Sequence, residues 1–442
     1  MSSKKSSITG LKRSGKLIAL LFSTAVLFVS WSLAVPIFEA PDEPHHWLFA
    51  RYLNEKKWLP VFTKDLVEAN SPPLYYVLVA PLASDTTLPA VFIDKDGKPT
   101  PFGGSIVLGE GLPAPQIYRN DRSDFAKFWP IRAARLLTVA MSVLAVLLTY
   151  LAGREATGQQ GTGLLAAGLM AFLPQFSFRG SQVSNDSLVV TMGAVSLYFI
   201  VRIIRRGFTW PSGMLAGASI AGAYLTKINA IFLPVGLGLA LLTGKGPWRQ
   251  RVSHSVALAG LMVALVFPWT LRNIALYGDP FAKNVMYTVV SSIVVKKALT
   301  SRYFYTTFPA QLGQSFIGTF GWMSLWMPLW AYLLYALVGV LAIGGLVWSW
   351  MQHKLEWRLA LMLMSMPVLN LLVVIYINLS FTQPQGRYMF PALPAIGLLV
   401  ALGLEGLPGW RPSAQLGLLA GMLAFNVFVL TAWLIPAYWG HP

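Results

Sequence analysis

The residues best suited to chemistry are concentrated in one short run, Glu39-Ala40-Pro41-Asp42-Glu43-Pro44-His45-His46-Trp47. Two adjacent carboxylates followed by two imidazoles can orient a general base or hold a hard divalent cation through oxygen and nitrogen. Pro44 suits the first turn of a helix, which sets Asp42 and Glu43 at its N-terminus, where backbone N–H groups and the dipole favour negative charge. On that helix Asp42 faces His45 and His46 three and four residues on, while Glu43 faces His46, Trp47 and Arg51. The competing reading is a helix cap with a solvated acidic face. The other histidines, His254, His353 and His441, are distant in sequence, so a cation (Mg or Mn) on Asp42, Glu43, His45 and His46 stays open.

Charged residues at the edges of apolar runs form a second group. Arg272 follows Pro268-Trp269 and precedes Tyr277-Gly278-Asp279-Pro280; Arg387 lies in Gln383-Pro384-Gln385-Gly386-Arg387-Tyr388, just before another run. A guanidinium at an interface can meet a lipid-linked phosphate with two parallel hydrogen bonds, although snorkelling to headgroups explains such a residue too. Lys227, between two short runs, is open in the same way. Gln175 and Asn185-Asp186 read as a helix-cap stretch. Pro72-Pro73-Leu74-Tyr75-Tyr76 and the three tryptophans between Trp322 and Trp330 read as interfacial anchors.

The elements that position these residues are membrane spans. Of 442 residues, 55% are hydrophobic and only 12% charged, against roughly 25% in soluble domains. The mean hydropathy is +0.58. Sixteen Trp, 16 Tyr and 25 Phe suit interfacial belts, and 38 Gly suit close helix packing in lipid. Continuous apolar runs argue against an outer-membrane barrel, and the absence of Cys excludes disulfides, thiolate metal sites and cysteine catalysis. The first run, 17–36, follows a basic segment, 1–16, and is too long for a signal-peptide core, so it reads as a retained helix. Further runs lie near 130–152, 163–176, 186–203, 212–226, 228–244, 253–274, 322–350, 359–378, 389–404 and 414–436. The expectation is an all-α polytopic protein with about 11 transmembrane helices.

The net charge of +17 belongs to that topology and not to nucleic acid. With the N-terminus in the cytoplasm, that side holds fifteen basic residues and three acidic ones (Glu155, Glu356, Glu405), an excess of twelve, as the positive-inside rule expects. The other 14 of the 17 carboxylates fall outside, which makes the extracytoplasmic face the working face. Most lie in a first loop over 37–129, within which Leu74–Ala83 is too short to span and reads as an interfacial helix. A second large outer loop covers 273–314. Asp85–Gly111, with its Gly, Pro and Asp, reads as a mobile loop.

The ordered set Pro41-Asp42-Glu43-Pro44, Ser71-Pro72-Pro73-Leu74-Tyr75-Tyr76, Leu173-Pro174-Gln175 with Asn185-Asp186, Leu225-Thr226-Lys227, Pro268-Trp269-Thr270-Leu271-Arg272-Asn273 and Gln385-Gly386-Arg387-Tyr388 resembles the bacterial branch of the GT-C superfamily of glycosyltransferases. That superfamily includes protein O-mannosyltransferases and the 4-amino-arabinose transferases of lipid A. The likeness runs from residue 17 to about 405. It implies a polyprenyl-phosphate sugar donor, a glycan, lipid or protein acceptor, and a multi-pass protein of the bacterial inner membrane with an extracytoplasmic active site. It implies a single inverting displacement in which Asp42, with Glu43 beside it, takes the acceptor proton. Arg272 and Arg387, then Arg51 and Lys227, would meet the donor phosphate. The domain expectation is a basic N-terminus, 1–16, and one transmembrane unit, 17–436, with no soluble C-terminal domain. A flippase of lipid-linked glycans or a non-catalytic assembly protein would keep such a fold, but a transporter would be expected to show internal symmetry and acids deep within spans, which the sequence lacks.

Overall fold

A computed structural model describes residues 2–63, 66–83, 91–93, 99–101, 128–289 and 294–439. Apolar segments in lipid fold as helices because a helix satisfies its own backbone polar groups. Helix α1 (Ser2–Ala34) leads into α2 (Glu43–Lys56) and the short α3 (Leu74–Val79), which ends in a 3-10 turn, Ala80–Leu82. Two antiparallel three-residue strands, β1 (Val91–Ile93) and β2 (Pro99–Pro101), are the described part of the segment expected as a mobile loop; the rest of Asp85–Gly111 lies outside the described residues.

The bundle continues with α4 (Trp129–Thr157), α5 (Gln160–Ala171), α6 (Pro174–Arg179), α7 (Asp186–Arg206), α8 (Trp210–Tyr224), α9 (Leu233–Leu242) and α10 (Trp248–Tyr277). Helix α11 (Lys283–Val289) and α12 (Thr307–Ile317) follow, then a two-residue hairpin of β3 (Thr319–Phe320) and β4 (Leu325–Trp326). The chain ends on α13 (Leu329–Met351), α14 (Trp357–Asn378), α15 (Leu393–Gly406), α16 (Pro412–Phe428) and α17 (Ile435–Trp439).

Among the described residues, eight helical segments are long and apolar enough to cross a membrane, not about eleven. Three apolar runs break instead of spanning. Run 163–176 is cut where α5 stops after 12 residues and Pro174 opens α6; run 212–226 gives the 15-residue α8; and 228–244 folds as a 3-10 turn plus the 10-residue α9. At ~1.5 Å per residue these fall short of a ~30 Å hydrocarbon core.

Residues assigned to one side of the membrane by charge do share one end of the bundle. Arg206 pairs with Glu155, joining the ends of α7 and α4; Arg205 Nη1 donates to Glu356 Oε2 at 2.7 Å, reaching the start of α14. Thr162 Oγ1 donates to Glu405 Oε2 at 2.7 Å, tying α5 to α15. Helices α13 and α15 cross backbone to backbone at Gly345 and Gly403, where a Cβ on either would run into the other helix. At the opposite end, α2 and α3 are held against α4 by a buried cluster of Ile37, Trp47, Phe49, Tyr75, Tyr76, Phe128 and Trp322. Two of the short helices thus sit over the span ends that carry the polar residues described next.

Candidate functional site

Helix α2 begins as its sequence predicts, with Glu43 first and Pro44 in the first turn. Asp42 precedes it at φ 64°, a left-handed conformation that Asp tolerates better than most residues. Its carboxylate makes no capping bond to α2 and instead pairs with the guanidinium of Arg387. Arg387 sits in a 3-10 turn, Gly386–Ala392, at the start of α15. That turn is pinned from two directions. Gly386 N donates to Ser315 Oγ at 2.7 Å, and a Cβ at Gly386 would run into the backbone of Phe316. Arg387 Nε donates to Gln385 Oε1 at 2.6 Å, which fixes the plane of the fork.

A second carboxylate lies behind the first. Asp186 opens α7, fully buried, and its Oδ1 accepts from Lys227. Its Oδ2 accepts from Arg179 Nε at 2.9 Å and Ser184 Oγ at 3.1 Å, with Arg387 Nη1 at 4.0 Å. Arg179 also donates through Nη1 to Pro41 O at 2.7 Å, reaching the residue next to Asp42. Arg179, Lys227 and Arg387 therefore converge on Asp42 and Asp186, three cations on two anions. Asn185-Asp186 does not serve as the helix cap expected from sequence: Asn185 makes no cap bond and reaches Tyr76 Oη and Thr226 O instead. Arg179 belongs to none of the motifs quoted above from the sequence. The signal was there: an Arg directly after Phe176-Ser177-Phe178, with an Asp seven residues on, in a region otherwise almost free of charge.

Local electrostatics set the protonation states. Burial, the largest single influence, would raise the Asp42 carboxyl, but the charge and hydrogen bond of Arg387 together with the other positive groups around it, Arg179 among them, outweigh it and hold the group well below the ordinary carboxylate range. Burial, and then the negative charge of Asp42, push Glu68 up to about 7, although Ser71 Oγ donates to it at 2.6 Å. Burial holds His46 well below its usual value, so it is neutral at pH 7; its Nδ1 meets Tyr76 Oη at 2.8 Å, and that hydroxyl donates to Glu68 at 3.3 Å. Burial also lowers His45 and Lys227.

Glu43 takes no part in this cluster. It faces α4, fully buried, with Oε1 and Oε2 accepting from Arg135 Nε and Nη2 at 2.7 and 2.6 Å. Phe38 N and Val183 N donate to the same two oxygens, each at 2.9 Å. Glu43, expected beside Asp42, is thus held in a sealed pair with Arg135. For the same reason Asp42, Glu43, His45 and His46 do not converge as a cation site: Glu43 is occupied by Arg135 and Asp42 by Arg387. Among the described residues no three His, Cys, Asp or Glu side chains gather to hold a metal. Two of the four expected phosphate ligands have partners outside this cluster. Arg51 pairs with Glu55 at 2.6 Å on α2. Arg272 lies over the ring of Trp269 and donates to Pro60 O at 2.6 Å.

Comparison with known proteins agrees with this architecture. Residues 126–270 match the family described as dolichyl-phosphate-mannose-protein mannosyltransferase. The chain is 26% identical over 168 residues to the dolichyl-diphosphooligosaccharide–protein glycosyltransferase subunit STT3A of Oryza sativa subsp. japonica, covering 35% of this chain and 21% of that protein. It resembles ArnT from Cupriavidus metallidurans, solved bound to undecaprenyl phosphate, with a TM-score of 0.50 and 14% identity, over 94% of this chain and 73% of that one. It also resembles the oligosaccharyltransferase AglB from Archaeoglobus fulgidus, solved with an inhibitory peptide and a dolichol-phosphate, with a TM-score of 0.53 and 12% identity, over 94% of this chain and 55% of that one. The chain thus spans about a fifth of the rice relative and about half of the archaeal one. With its polar cluster at the ends of long apolar helices in an all-helical bundle, the chain has a fold similar to those of these two membrane glycosyltransferases.

Proposed function

We propose that this protein moves a sugar from a polyprenyl-phosphate donor held in the membrane to a cell-envelope acceptor, on the extracytoplasmic face of the bacterial inner membrane. The observation that carries this is the cationic surplus at the span ends: Arg179, Lys227 and Arg387 against Asp42 and Asp186. While Glu68 keeps its proton, a site with one positive charge left over favours an incoming phosphate. Lipid-phosphate ligands in the ArnT and AglB structures support that choice of anion. The excess of basic residues at the other end supports an orientation with that end in the cytoplasm.

The reaction is a single displacement. The acceptor oxygen attacks the anomeric carbon as the bond to the phosphate oxygen breaks, and the electron pair leaves with the lipid phosphate. The acceptor proton passes to Asp42. Before donor arrives, Arg387 holds Asp42 as a weak base. Once the donor phosphate draws the guanidinium away, the carboxylate loses its counter-ion and gains basicity, so donor binding and base activation are one event. Lys227 shares the leaving charge, and Arg179 fixes Asp186 behind it. Arg272 and Arg51, held elsewhere, act as interfacial anchors in this scheme. Because the donor set does not fit a divalent cation, no step runs through one.

The test is transfer by purified protein in lipid nanodiscs, given a panel of polyprenyl-phosphate sugars and cell-envelope extract. Asp42→Asn should abolish transfer with folded yield unchanged; full activity in that variant overturns the role of Asp42. Retained anomeric configuration in the product overturns the single displacement.

A further inference from the structure

The end of the bundle that holds Arg387 carries a second basic feature which the transfer scheme does not use. The segment Asp279–Phe308 contains Lys283, Lys296, Lys297 and Arg302 and one acid, Asp279. That acid is taken up by backbone donors: Phe281 N, Lys283 N and Asn284 N each reach it at 2.9 Å. The segment is fastened beside the site. Val294 pairs antiparallel with Phe381, Val295 N donates to Ser380 O at 3.1 Å, and Lys297 N to Leu379 O at 2.9 Å. Lys297 Nζ donates to Thr382 Oγ1 at 2.6 Å, and Thr382 precedes Arg387 by five residues, a reach of at most ~18 Å.

Lys296 and Arg302 are exposed, and so are two nearby tyrosines, Tyr305 at 71% and Tyr376 at 60%. Lys283 Nζ stands 5.0 Å from the centre of the Tyr376 ring. Basic side chains beside the exposed Tyr305, with Lys283 over the ring of Tyr376, suit an anionic carbohydrate, with acid groups on the cations and a sugar ring on the Tyr305 face. On the face assigned above as extracytoplasmic, loops of up to about 60 residues, as this one is, are normally depleted of Lys and Arg, so four here call for a compensating role. We infer that the surface carried by Lys283, Lys296, Lys297 and Arg302 is the acceptor's docking surface and that the acceptor is an anionic glycan bearing several phosphate or carboxylate groups. The inference rests on the glycosyltransferase reading and names its acceptor class.

Binding without donor separates the two ideas. Full-length protein in phosphatidylcholine nanodiscs should bind fluorescent dextran sulfate at low salt and not bind dextran. Lys296→Gln/Arg302→Gln should weaken dextran sulfate at least fivefold, whereas Lys245→Gln/Arg249→Gln at the other end should weaken it less than twofold. Asp42→Asn should bind as wild type does, whether or not it transfers sugar. Equal weakening by both double variants, or none by the first, overturns the inference. If Lys296→Gln/Arg302→Gln binds dextran sulfate normally but loses co-purifying phosphatidylglycerol, the residues anchor lipid and the inference fails.

Discussion

Asp42 and Glu43 are neighbours in the chain, each bound to an arginine, yet the two pairs are built differently. Around Glu43 the inventory closes. Arg135 spends its five N–H bonds on both Glu43 oxygens and on the carbonyls of Ser32, Val35 and Pro36, and two backbone N–H groups complete the carboxylate. Around Asp42 it does not close: the carboxylate is 27% exposed, its arginine is shared with Asp186 and Gln385, and the cluster holds more cations than anions. A pair whose donors are all used by the protein is a fastening. One left with surplus charge at a span end is where a charged substrate can enter. The Glu43 fastening also serves the Asp42 site, since it ties the end of α1 and the start of α2 to Val183, three residues before Asp186.

The largest effect should come from opening the closed pair. Glu43→Leu or Arg135→Met alone leaves a buried charge without its partner, at a cost of ~3–5 kcal/mol, a large share of a typical 5–15 kcal/mol. The double variant should recover much of that loss, because two apolar side chains replace two buried charges. Thermal unfolding in detergent reads this, and single variants as stable as wild type would mean the pair fastens nothing. Next in size is Asp42→Asn, expected to lower transfer by ~10²–10⁴-fold while lowering the unfolding temperature less than Arg135→Met does, because Arg387 keeps Gln385 and Asp186 as partners. A variant that unfolds as readily as Arg135→Met would erase the distinction between the two pairs.

Much of this was legible in the sequence because it rests on local rules. Pro44 after two acids marked the start of α2, and the basic connectors sorted onto one end of the bundle as the positive-inside rule requires. What was not legible depends on long-range contacts. Nothing local distinguishes Asp42 from Glu43: their partners lie 345 and 92 residues away. Arg272 and Arg387 look equivalent at span edges, yet only Arg387 meets a carboxylate, because Gly386 lets its turn pack against Phe316. The expected count of about eleven spans is not recovered among the described residues for a related reason. Apolar runs report burial as well as lipid, and α5, α8 and α9 are apolar without the length to cross.

The two arginines therefore give a smaller and sharper test. A charge-assisted hydrogen bond contributes ~1.5–3 kcal/mol, so Arg387→Ala should weaken binding of a polyprenyl-phosphate sugar by ~10–150-fold. Arg272→Ala, whose guanidinium already serves Pro60 O, should stay within ~3-fold of wild type on the same scale of energies. Equal losses in the two would move the phosphate away from the Asp42 cluster.

The last test is a pH dependence that joins Asp42 to Glu68, read as a small displacement of one limb of a stability curve. Folded Glu68 keeps its proton up to about 7, whereas the unfolded chain releases it near 4.5. Between those values the folded state holds more protons, so this group makes stability fall as pH rises and adds no further change above about 7. Asp42 runs the other way: its contribution is complete above 3.8 and is lost as pH falls through its lowered folded value. Glu68→Gln keeps an oxygen to accept from Ser71 but removes the charge, so the decline between pH 4.5 and 7 should flatten while the loss in stronger acid remains. Unfolding temperature against pH measures both limbs. Since the negative charge of Asp42 is one cause of the Glu68 shift, Asp42→Asn should move the upper limb toward lower pH; an unmoved limb would mean the two carboxylates do not sense each other.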